Sequence, residues 1–395
     1  MKIIQRDFYL NQLIGVMDIP DIKVITGVRR SGKSKIMDML HDYLFRNDAN
    51  IVHIKLNMKE FENLLSGDEL YDYVVSRFDE NRSNYLLIDE VQMCSGFERV
   101  INSLHEEEKF DIYLTGSNAF LLSSDLATLF GGRVFEIKVF PFSFKEYLDY
   151  YPSSDIDSSF DDYFKKGGMA GSYLYRNESN ASSYVSGVVK TTIVKDIVQK
   201  YKIENEDLLK MIYEFLMDNV GSQTSIRNIA NKLTSSSYKT NDRTCGAYVD
   251  YLCKSFLFYP IQRFDVKGNK YLESDMKYYL SDLSFRRAIL GNRYLDRGHL
   301  FENLVALELL RRGYEVYVGK LYDKEIDFVA IKNGKRMYVQ VCDDISNEAT
   351  FAREIRPLQS IRDSYPKIII ARTKADLYDY YGIQIIDIAR WLYGQ

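Results

Sequence analysis

The sequence predicts an α/β fold in which a mainly parallel sheet carries functional residues at one edge. Residues Gly27–Ser34 fill every fixed position of the pattern G-x-x-x-x-G-K-[ST] and stand between an apolar run and the helix-like run Lys35–Leu40. The short apolar run Tyr85–Ile88 is typical of a strand buried on both faces of a parallel sheet. A third run, Phe110–Thr115, ends in turn-forming residues. The carboxyl ends of such strands are where these sheets bind ligands.

The glycine-rich segment predicts a phosphate-binding loop at the start of a helix. Gly27 and Gly32 allow turns that are closed to residues with a Cβ atom, so successive N–H groups can converge on phosphate oxygens. Lys33 is expected to reach the β- and γ-phosphates, and the Ser34 hydroxyl to complete part of a Mg²⁺ shell. A chance glycine-rich turn is the alternative. The residues expected to hold a nucleoside triphosphate are Gly27, Val28, Arg29, Arg30, Ser31, Gly32, Lys33, Ser34 and Asp89.

Two carboxylates follow the second apolar run directly. Asp89 is expected to hold Mg²⁺ through water, together with Ser34. Glu90 is expected to polarise the attacking water as a general base. An ordinary transition from strand to turn is the alternative, but the pairing with Lys33 favours hydrolysis of the triphosphate.

Two further candidates come after the third apolar run. Ser117 or Asn118 would sense the terminal phosphate, and we assign a catalytic role to Asn118; a turn without function is the alternative. Arg133 follows a break at Gly131 and Gly132. An arginine delivered to the γ-phosphate, within one chain or from a neighbouring subunit, stabilises transition-state charge. The alternative for Arg133 is a surface arginine on a turn.

These motifs together resemble the predicted prokaryotic ATPases of the AAA superfamily, whose C-terminal half is a domain of unknown function related to restriction-endonuclease-like folds. The resemblance is carried by the phosphate loop G-V-R-R-S-G-K-S, the strand L-L-I-D-E, the turn T-G-S-N, the break G-G-R and the segment F-P-F-S-F-K-E-Y at Phe140–Tyr147. It spans nearly the whole chain. It implies a P-loop AAA-type core and use of ATP with Mg²⁺, but it supplies no biological substrate.

We expect four domains. Residues 1–145 form the ATPase core, and residues 146–204, rich in helix-like stretches with a bend at Gly167–Gly171, form a helical lid. Residues 205–285 read as short helices followed by two strands, which is the order of a winged-helix domain. Residues 286–395 have the order of a restriction-endonuclease-like α/β domain. The predicted DNA contacts of the winged helix are Arg243, Tyr248, Lys254 and Lys267. Packing or oligomerisation is an equally good use of that domain.

The C-terminal domain resembles a nuclease in which some of the catalytic residues are replaced. In active members of the fold that it resembles, an acid on one strand and an acid-x-lysine pattern on the next hold Mg²⁺ and activate water. By this resemblance Asp327 occupies the first acid position, and Glu302 could add a carboxylate from a helix. However, Gln340 replaces the second acid and Cys342 replaces the lysine. A thiol cannot supply the ammonium that stabilises developing negative charge. We therefore expect this site to be inactive and the domain to serve recognition. Retained cleavage, with a migrated Lys335 or Arg336 in place of the lysine, is the alternative.

Composition limits the remaining function classes. The chain has 395 residues, with 52 Lys plus Arg against 56 Asp plus Glu and a net charge of −4, so any DNA contact must be local. A further basic series, Arg286, Arg287, Arg293 and Arg297, could form a phosphate track or only a solvated face. The four cysteines are scattered and indicate no zinc site.

No apolar run is long enough to span a membrane, and the N-terminus lacks the apolar core of a signal peptide, so a cytoplasmic protein is expected. Two functions compete. One is an ATPase whose nucleotide state alters engagement of DNA or a partner, with a homo-oligomer as one assembly in which Arg133 could act. The other is a nucleotide-dependent protein-interaction switch with negligible turnover and no nucleic-acid binding.

Overall fold

The computed structural model describes residues 4–116, 130–235, 240–291 and 296–394. The chain separates into two compact units, one ending at Val139 and the other beginning at Phe140. The division therefore comes slightly before the boundary predicted after residue 145. No helix in the described ranges is long and apolar enough to cross a membrane.

The first unit alternates strands and helices. Its elements are α1 Asp7–Ile14, β1 Ile22–Thr26, α2 Lys33–Arg46, β2 Asn50–Lys55, α3 Gly67–Val75, β3 Asn84–Asp89, α4 Phe97–Glu106, β4 Asp111–Thr115 and β5 Val134–Lys138, with 3₁₀ turns at Lys59–Leu64 and Val91–Met93. The five strands form a sheet in the order β2-β3-β4-β1-β5, and every neighbouring pair is parallel.

Apolar residues cover both faces of this sheet. Along β3, Leu86 and Ile88 pack into one buried cluster, and Tyr85 and Leu87 pack into another on the opposite face. This is the burial expected of a strand whose successive side chains point to opposite faces, both covered by helices. The order of the sheet places β4 between β1 and β3. Because all three run in the same direction, the residues that follow them meet at one edge.

The second unit begins with helices and continues into a second sheet. Its elements are α5 Phe144–Tyr150, α6 Ile156–Lys166, α7 Glu178–Thr191, α8 Glu206–Asp218, α9 Ile226–Ser235, α10 Asp242–Lys254, β6 Phe258–Asp265, β7 Lys270–Leu280, α11 Leu283–Leu290, α12 Arg297–Arg311, β8 Glu315–Leu321, β9 Lys324–Lys332, β10 Lys335–Cys342, α13 Glu348–Gln359, β11 Lys367–Ala371, β12 Tyr378–Tyr380, β13 Ile383–Asp387 and α14 Ile388–Tyr393. A 3₁₀ turn at Ala170–Leu174 precedes α7, and a π-helical stretch at Thr192–Val198 and a helical turn at Gln199–Tyr201 follow it.

The hairpin predicted as a wing is part of this second sheet. Strand β6 pairs with β7 and also, in parallel, with β8 through Arg263–Asp265. The eight strands have the order β12-β13-β11-β10-β9-β8-β6-β7. The order of three helices followed by a hairpin agrees with the sequence analysis. However, the sheet continues across the boundary predicted after residue 285, so the hairpin and the C-terminal strands belong to one body.

Candidate functional site

The phosphate-loop segment has a backbone that its glycines make possible. It joins the end of β1 at Thr26 to the start of α2 at Lys33. Gly27 has a φ of 137°, and a Cβ atom there would lie 2.1 Å from the carbonyl oxygen of Val139. Gly32, which caps α2, has a φ of 101° in the left-handed region. Both positions therefore exclude a side chain, as the sequence analysis predicted.

Lys33 is buried and turned into its own loop. Its Nζ atom donates to the backbone oxygens of Gly27 at 2.8 Å and of Val28 at 3.2 Å. The loop therefore encloses an ammonium group at the amino end of a helix, where backbone N–H groups and the helix dipole also favour an anion. Ser34, in the first turn of α2, is half-buried beside it.

Arg6 holds this loop from outside and was not identified from the sequence. Its side chain is buried, and its Nη1 atom donates to the backbone oxygen of Ser31 at 2.7 Å. The guanidinium group lies 4.5 Å from the centre of the Tyr9 ring. A Cβ atom at Gly32 would lie 3.3 Å from the same Nη1 atom. The loop is thus fixed by a residue from before the first helix, a contact for which the sequence gives no local signal.

The two carboxylates lie at the same edge of the sheet. Asp89 is 2 % exposed and accepts a hydrogen bond from the hydroxyl of Thr115, the last residue of β4. That hydroxyl also accepts a hydrogen bond of 3.2 Å from the backbone N–H of Glu90. Glu90 has a φ of 58°, and its half-buried carboxylate accepts a hydrogen bond from Gln92 Nε2. Thr115 therefore fixes both acids.

Strand geometry gives the scale of this site. The loop follows β1 and the acids follow β3, with only β4 between them. Strands are spaced about 4.8 Å apart, so the two groups are separated by roughly 10 Å across the sheet. That gap suits phosphate groups and a metal ion. Thr115 could have been found from the sequence, because it ends the strand predicted next to the acids.

Arg133 does not lie at this edge. Strand β5 runs parallel to β1, with Val134 opposite Ile22 and Lys138 opposite Thr26. Arg133 therefore precedes the amino end of β5, about 16 Å along the strands from the phosphate loop at about 3.3 Å per residue. Its guanidinium group donates to Glu106. The prediction that Arg133 acts within its own chain is not supported by this position. Asn118 and Ser117 lie outside the described residues.

Comparisons with known proteins identify the first unit. Residues 20–148 match the family model described as an AAA domain, and residues 157–296 match a domain of unknown function. An uncharacterized protein of Haemophilus influenzae is 36% identical over 397 residues, covering 98% of each chain. The chain therefore belongs to the same family as this Haemophilus protein, and its residues 20–148 are the part that matches the AAA domain. An uncharacterized protein of Methanocaldococcus jannaschii is 26% identical over 92% of this chain and 84% of its own.

A solved structure supports the fold of the AAA-domain chain. A Walker-type ATPase of Pyrococcus abyssi superposes with a TM-score of 0.50 at 14% identity, and the match covers 73% of this chain and 96% of that one. At this identity the likeness concerns the fold alone. It agrees with the predicted mixed α/β fold with a parallel sheet of the P-loop AAA type.

The predicted DNA-contact residues of the second unit are not equally available. Tyr248 is only 9 % exposed and packs with the buried face of α10, so its ring cannot reach a nucleic acid from this position. Lys254 pairs with Asp250 at 3.0 Å, and Lys267 lies 4.7 Å over the ring of Tyr322. Arg243 is exposed. Helix α10, which carries Arg243, Tyr248 and Lys254, therefore presents less positive charge to a nucleic acid than its sequence suggests.

The described arginines of the basic series also differ in their surroundings. Arg286 is buried and donates to the backbone oxygen of Met217 and to Asp218, both at 3.0 Å. Arg297 pairs with Asp343 at 3.2 Å. Arg293 lies outside the described residues. Arg287 alone among the described members lines a groove between α6, α7 and α11.

An open groove of about 860 Å³ lies in the second unit, between α6, α7 and α11. Its cationic side chains are Lys165, Lys166, Arg176 and Arg287, against the two acids Asp162 and Glu178. Tyr175 and Leu174 are 43 % and 54 % exposed at its wall. We call this surface the basic groove. The AAA-domain chain therefore has a local positive excess although its net charge is −4.

The predicted nuclease-like residues come together around a lysine that the sequence analysis missed. Lys277 of β7 is buried, and its Nζ atom lies 3.0 Å from Glu302 Oε2 and 4.0 Å from Asp327 Oδ1. Burial raises the pKa of Asp327 well above its ordinary value, and the nearby Glu302 carboxylate raises it further. Lys277 interrupts an otherwise apolar strand end, and that interruption was the available signal in the sequence.

The two substituted positions adjoin this group. Gln340 donates through Nε2 to Glu354 at 2.9 Å, and its oxygen faces the backbone N–H of Asp327 at 3.4 Å. Cys342 is buried, and burial raises the pKa of its thiol. In the described part of the chain, no group of three or more His, Cys, Asp or Glu side chains is spaced to hold a metal ion.

Proposed function

We propose that the chain binds ATP with Mg²⁺ and hydrolyses it at the carboxyl edge of the first unit's sheet. The observation that carries this proposal is the enclosed ammonium of Lys33 at the amino end of α2, on the same edge as the fixed Asp89. Phosphate oxygens would replace the two backbone oxygens that now accept from Lys33. The residues also fit a magnesium ion, because the Ser34 hydroxyl and the Asp89 carboxylate are hard oxygen ligands.

The chemical step is assigned to Glu90. When bound, Mg²⁺ would neutralise charge on the phosphate oxygens. The Glu90 carboxylate takes a proton from the attacking water, and Gln92 holds the carboxylate by a hydrogen bond. The Thr115 hydroxyl keeps Asp89 and the backbone of Glu90 in a fixed relation. A pure switch has no need for such a water-activating carboxylate.

Arg133 is proposed to act on a nucleotide held by another copy of the chain. Arg133 lies at the amino edge of the sheet and therefore cannot reach the nucleotide site of its own chain. A neighbouring subunit could present its nucleotide site to that edge. This proposal requires a homo-oligomer. It also requires that Arg133 exchange its partner Glu106 for phosphate oxygens on assembly.

The second unit is proposed to engage DNA in a manner that depends on the nucleotide. Residues 146–204 remain our candidate for a lid, residues 205–285 for a winged helix, and residues 286–395 for a restriction-endonuclease-like domain without cleavage activity. We assign the DNA contact to the basic groove, with Arg243 of α10 as a secondary contact. Four cations against two acids favour phosphate, and each phosphate contact adds to affinity through counterion release.

A nucleotide-dependent protein-interaction switch is the second candidate. Tyr175 favours it, because exposed tyrosine beside arginine, here Arg176, is typical of protein interfaces. In that case turnover would be negligible and DNA would bind weakly or not at all.

One set of assays separates the two candidates. ATP hydrolysis is measured with and without DNA, and DNA binding is measured by fluorescence anisotropy at several salt concentrations. Stimulation by DNA supports the first candidate, and slow turnover that DNA does not change supports the second. Arg287→Ala should lower both DNA affinity and the salt dependence of binding, whereas Lys335→Ala, an exposed lysine of the same unit, should change neither.

A further inference from the structure

A buried ammonium group lies at the centre of the nuclease-like cluster in the second unit. The Lys277 side chain is 4 % exposed, and its Nζ atom lies 3.0 Å from Glu302 Oε2, 2.8 Å from Glu325 Oε1 and 4.0 Å from Asp327 Oδ1. Glu302 comes from α12, and Glu325 and Asp327 come from β9. Glu302 and Asp327 are the two acids that the resemblance to a nuclease would assign to a metal ion.

The position of Lys277 is built into the fold. Two residues along β7, Tyr279 is fully buried and donates through its hydroxyl to Glu302 Oε2 at 3.1 Å. The side chain of Asn303, next to Glu302, accepts from the backbone N–H of Leu280 at 2.7 Å and donates to its carbonyl at 2.9 Å. Helix α12 is therefore fastened to β7, so Glu302 and Lys277 face each other.

The donor set around this ammonium does not fit a magnesium ion. Mg²⁺ demands nearly ideal octahedral geometry with oxygen ligands at about 2.1 Å. Here Oε2 of Glu302 already accepts from Lys277 and Tyr279, and Asp327 Oδ2 accepts from the backbone N–H of Val341 at 2.7 Å. The Gln340 amide is held by Glu354. A divalent cation next to the Lys277 ammonium would also be repelled.

We propose that Lys277 is a built-in cation that takes the place of the metal ion in this centre. The native chain binds no divalent cation at Glu302 and Asp327, and the centre stabilises the junction of the hairpin with α12 instead of cleaving a phosphodiester. A buried charge is retained only where it is paired and hydrogen-bonded, and Lys277 meets both conditions. The proposal does not depend on ATP binding by the first unit.

Removal of the ammonium should therefore turn the cluster into a cation site. Lys277→Ala leaves two buried carboxylates, Glu302 and Asp327, without their cation and leaves space where Nζ lay. We expect this variant to melt at a lower temperature than the native chain. Saturating Mn²⁺, with no nucleotide present, should raise its melting temperature by roughly 5–10 °C, as expected when an ion binds only the folded state.

Matched variants make the test specific. Lys277→Arg keeps the charge and should show no response to Mn²⁺. The double variant Lys277→Ala with Asp327→Asn should lose the response. Mn²⁺ binding is followed by electron paramagnetic resonance, and hydrolysis of ATP serves as a separate readout that should stay unchanged in all three.

Two results would overturn the proposal. The first is Mn²⁺ binding, or Mn²⁺-dependent cleavage of DNA, by the native nucleotide-free chain that disappears in Asp327→Asn. This result would make Lys277 part of a working nuclease centre. The second is a folded Lys277→Ala chain that gains no affinity for Mn²⁺. Should Lys277→Ala fail to fold, the titration of the native chain against Asp327→Asn still decides.

Discussion

Replacement of Thr115 by valine is expected to weaken both the first unit and the ATP hydrolysis that we propose for it. Valine keeps the volume of threonine but removes the hydroxyl, which donates to Asp89 and accepts from the Glu90 N–H. Thr115 is fully buried, so water cannot replace these bonds. A hydrogen bond to a charged group contributes about 1.5–3 kcal/mol and a neutral one about 0.5–1.5 kcal/mol, so the loss should be about 2–4.5 kcal/mol.

Hydrogen exchange provides the assay for that loss. The backbone amides of β3 and β4 are compared in the native chain, in Thr115→Val and in Thr115→Ser, which keeps the hydroxyl. Thr115→Val should exchange faster in these strands and hydrolyse ATP more slowly, whereas Thr115→Ser should stay close to the native chain in activity. If Thr115→Val matches the native chain in both exchange and turnover, the role given to this hydroxyl is refuted.

Three further predictions use the same site and its surroundings. Glu90→Gln should bind ATP but slow hydrolysis about 100- to 10,000-fold, as expected for loss of a general base, and turnover within twofold of the native rate would contradict the assignment. Arg133→Ala and Lys33→Ala should each be inactive alone, but a mixture should regain activity if Arg133 serves a neighbouring chain; no recovery despite mixed assembly excludes that role. The pKa of His53 is lowered to about 4 by burial and by the charge of Lys55. Since the unfolded chain protonates His53 near pH 6.5, the folded state should lose stability as the pH falls from 6.5 to 4, and His53→Met should lessen this loss. Urea unfolding of both chains at pH 6.5 and at pH 5 measures the loss. An equal loss in the native chain and in His53→Met would contradict the prediction.

The sequence predicted the backbone conformation of the glycine-rich loop and the position of the acids because their signals are local. The spacing of Gly27, Gly32 and Lys33 within one loop already determines the backbone conformation of the loop and the position of its positive charge. The strand carrying Asp89 was predicted because its apolar residues are contiguous. Prediction of the contacts of Thr115 requires one further step, because they depend on the pairing of β3 with β4.

Long-range contacts account for what the sequence left out. Lys277 lies on a hairpin that reads locally as the wing of a separate domain, and only the pairing of β6 with β8 brings that hairpin into the C-terminal sheet. Tyr248 reads as an exposed aromatic residue on a helix, but packing buries it. Arg133 lies at the amino edge of the sheet because β5 runs parallel to β1. The sequence alone does not reveal that direction.

The most direct test is isothermal titration calorimetry of ATP with Mg²⁺ into the native chain and into Lys33→Ala. The native chain should bind one ATP in a saturable manner, and Lys33→Ala should bind far more weakly, because the buried ammonium that now bonds Gly27 and Val28 is the group expected to meet the phosphates. No binding by the native chain, or equal affinity in the two chains, would contradict the assignment of this loop as a nucleotide site.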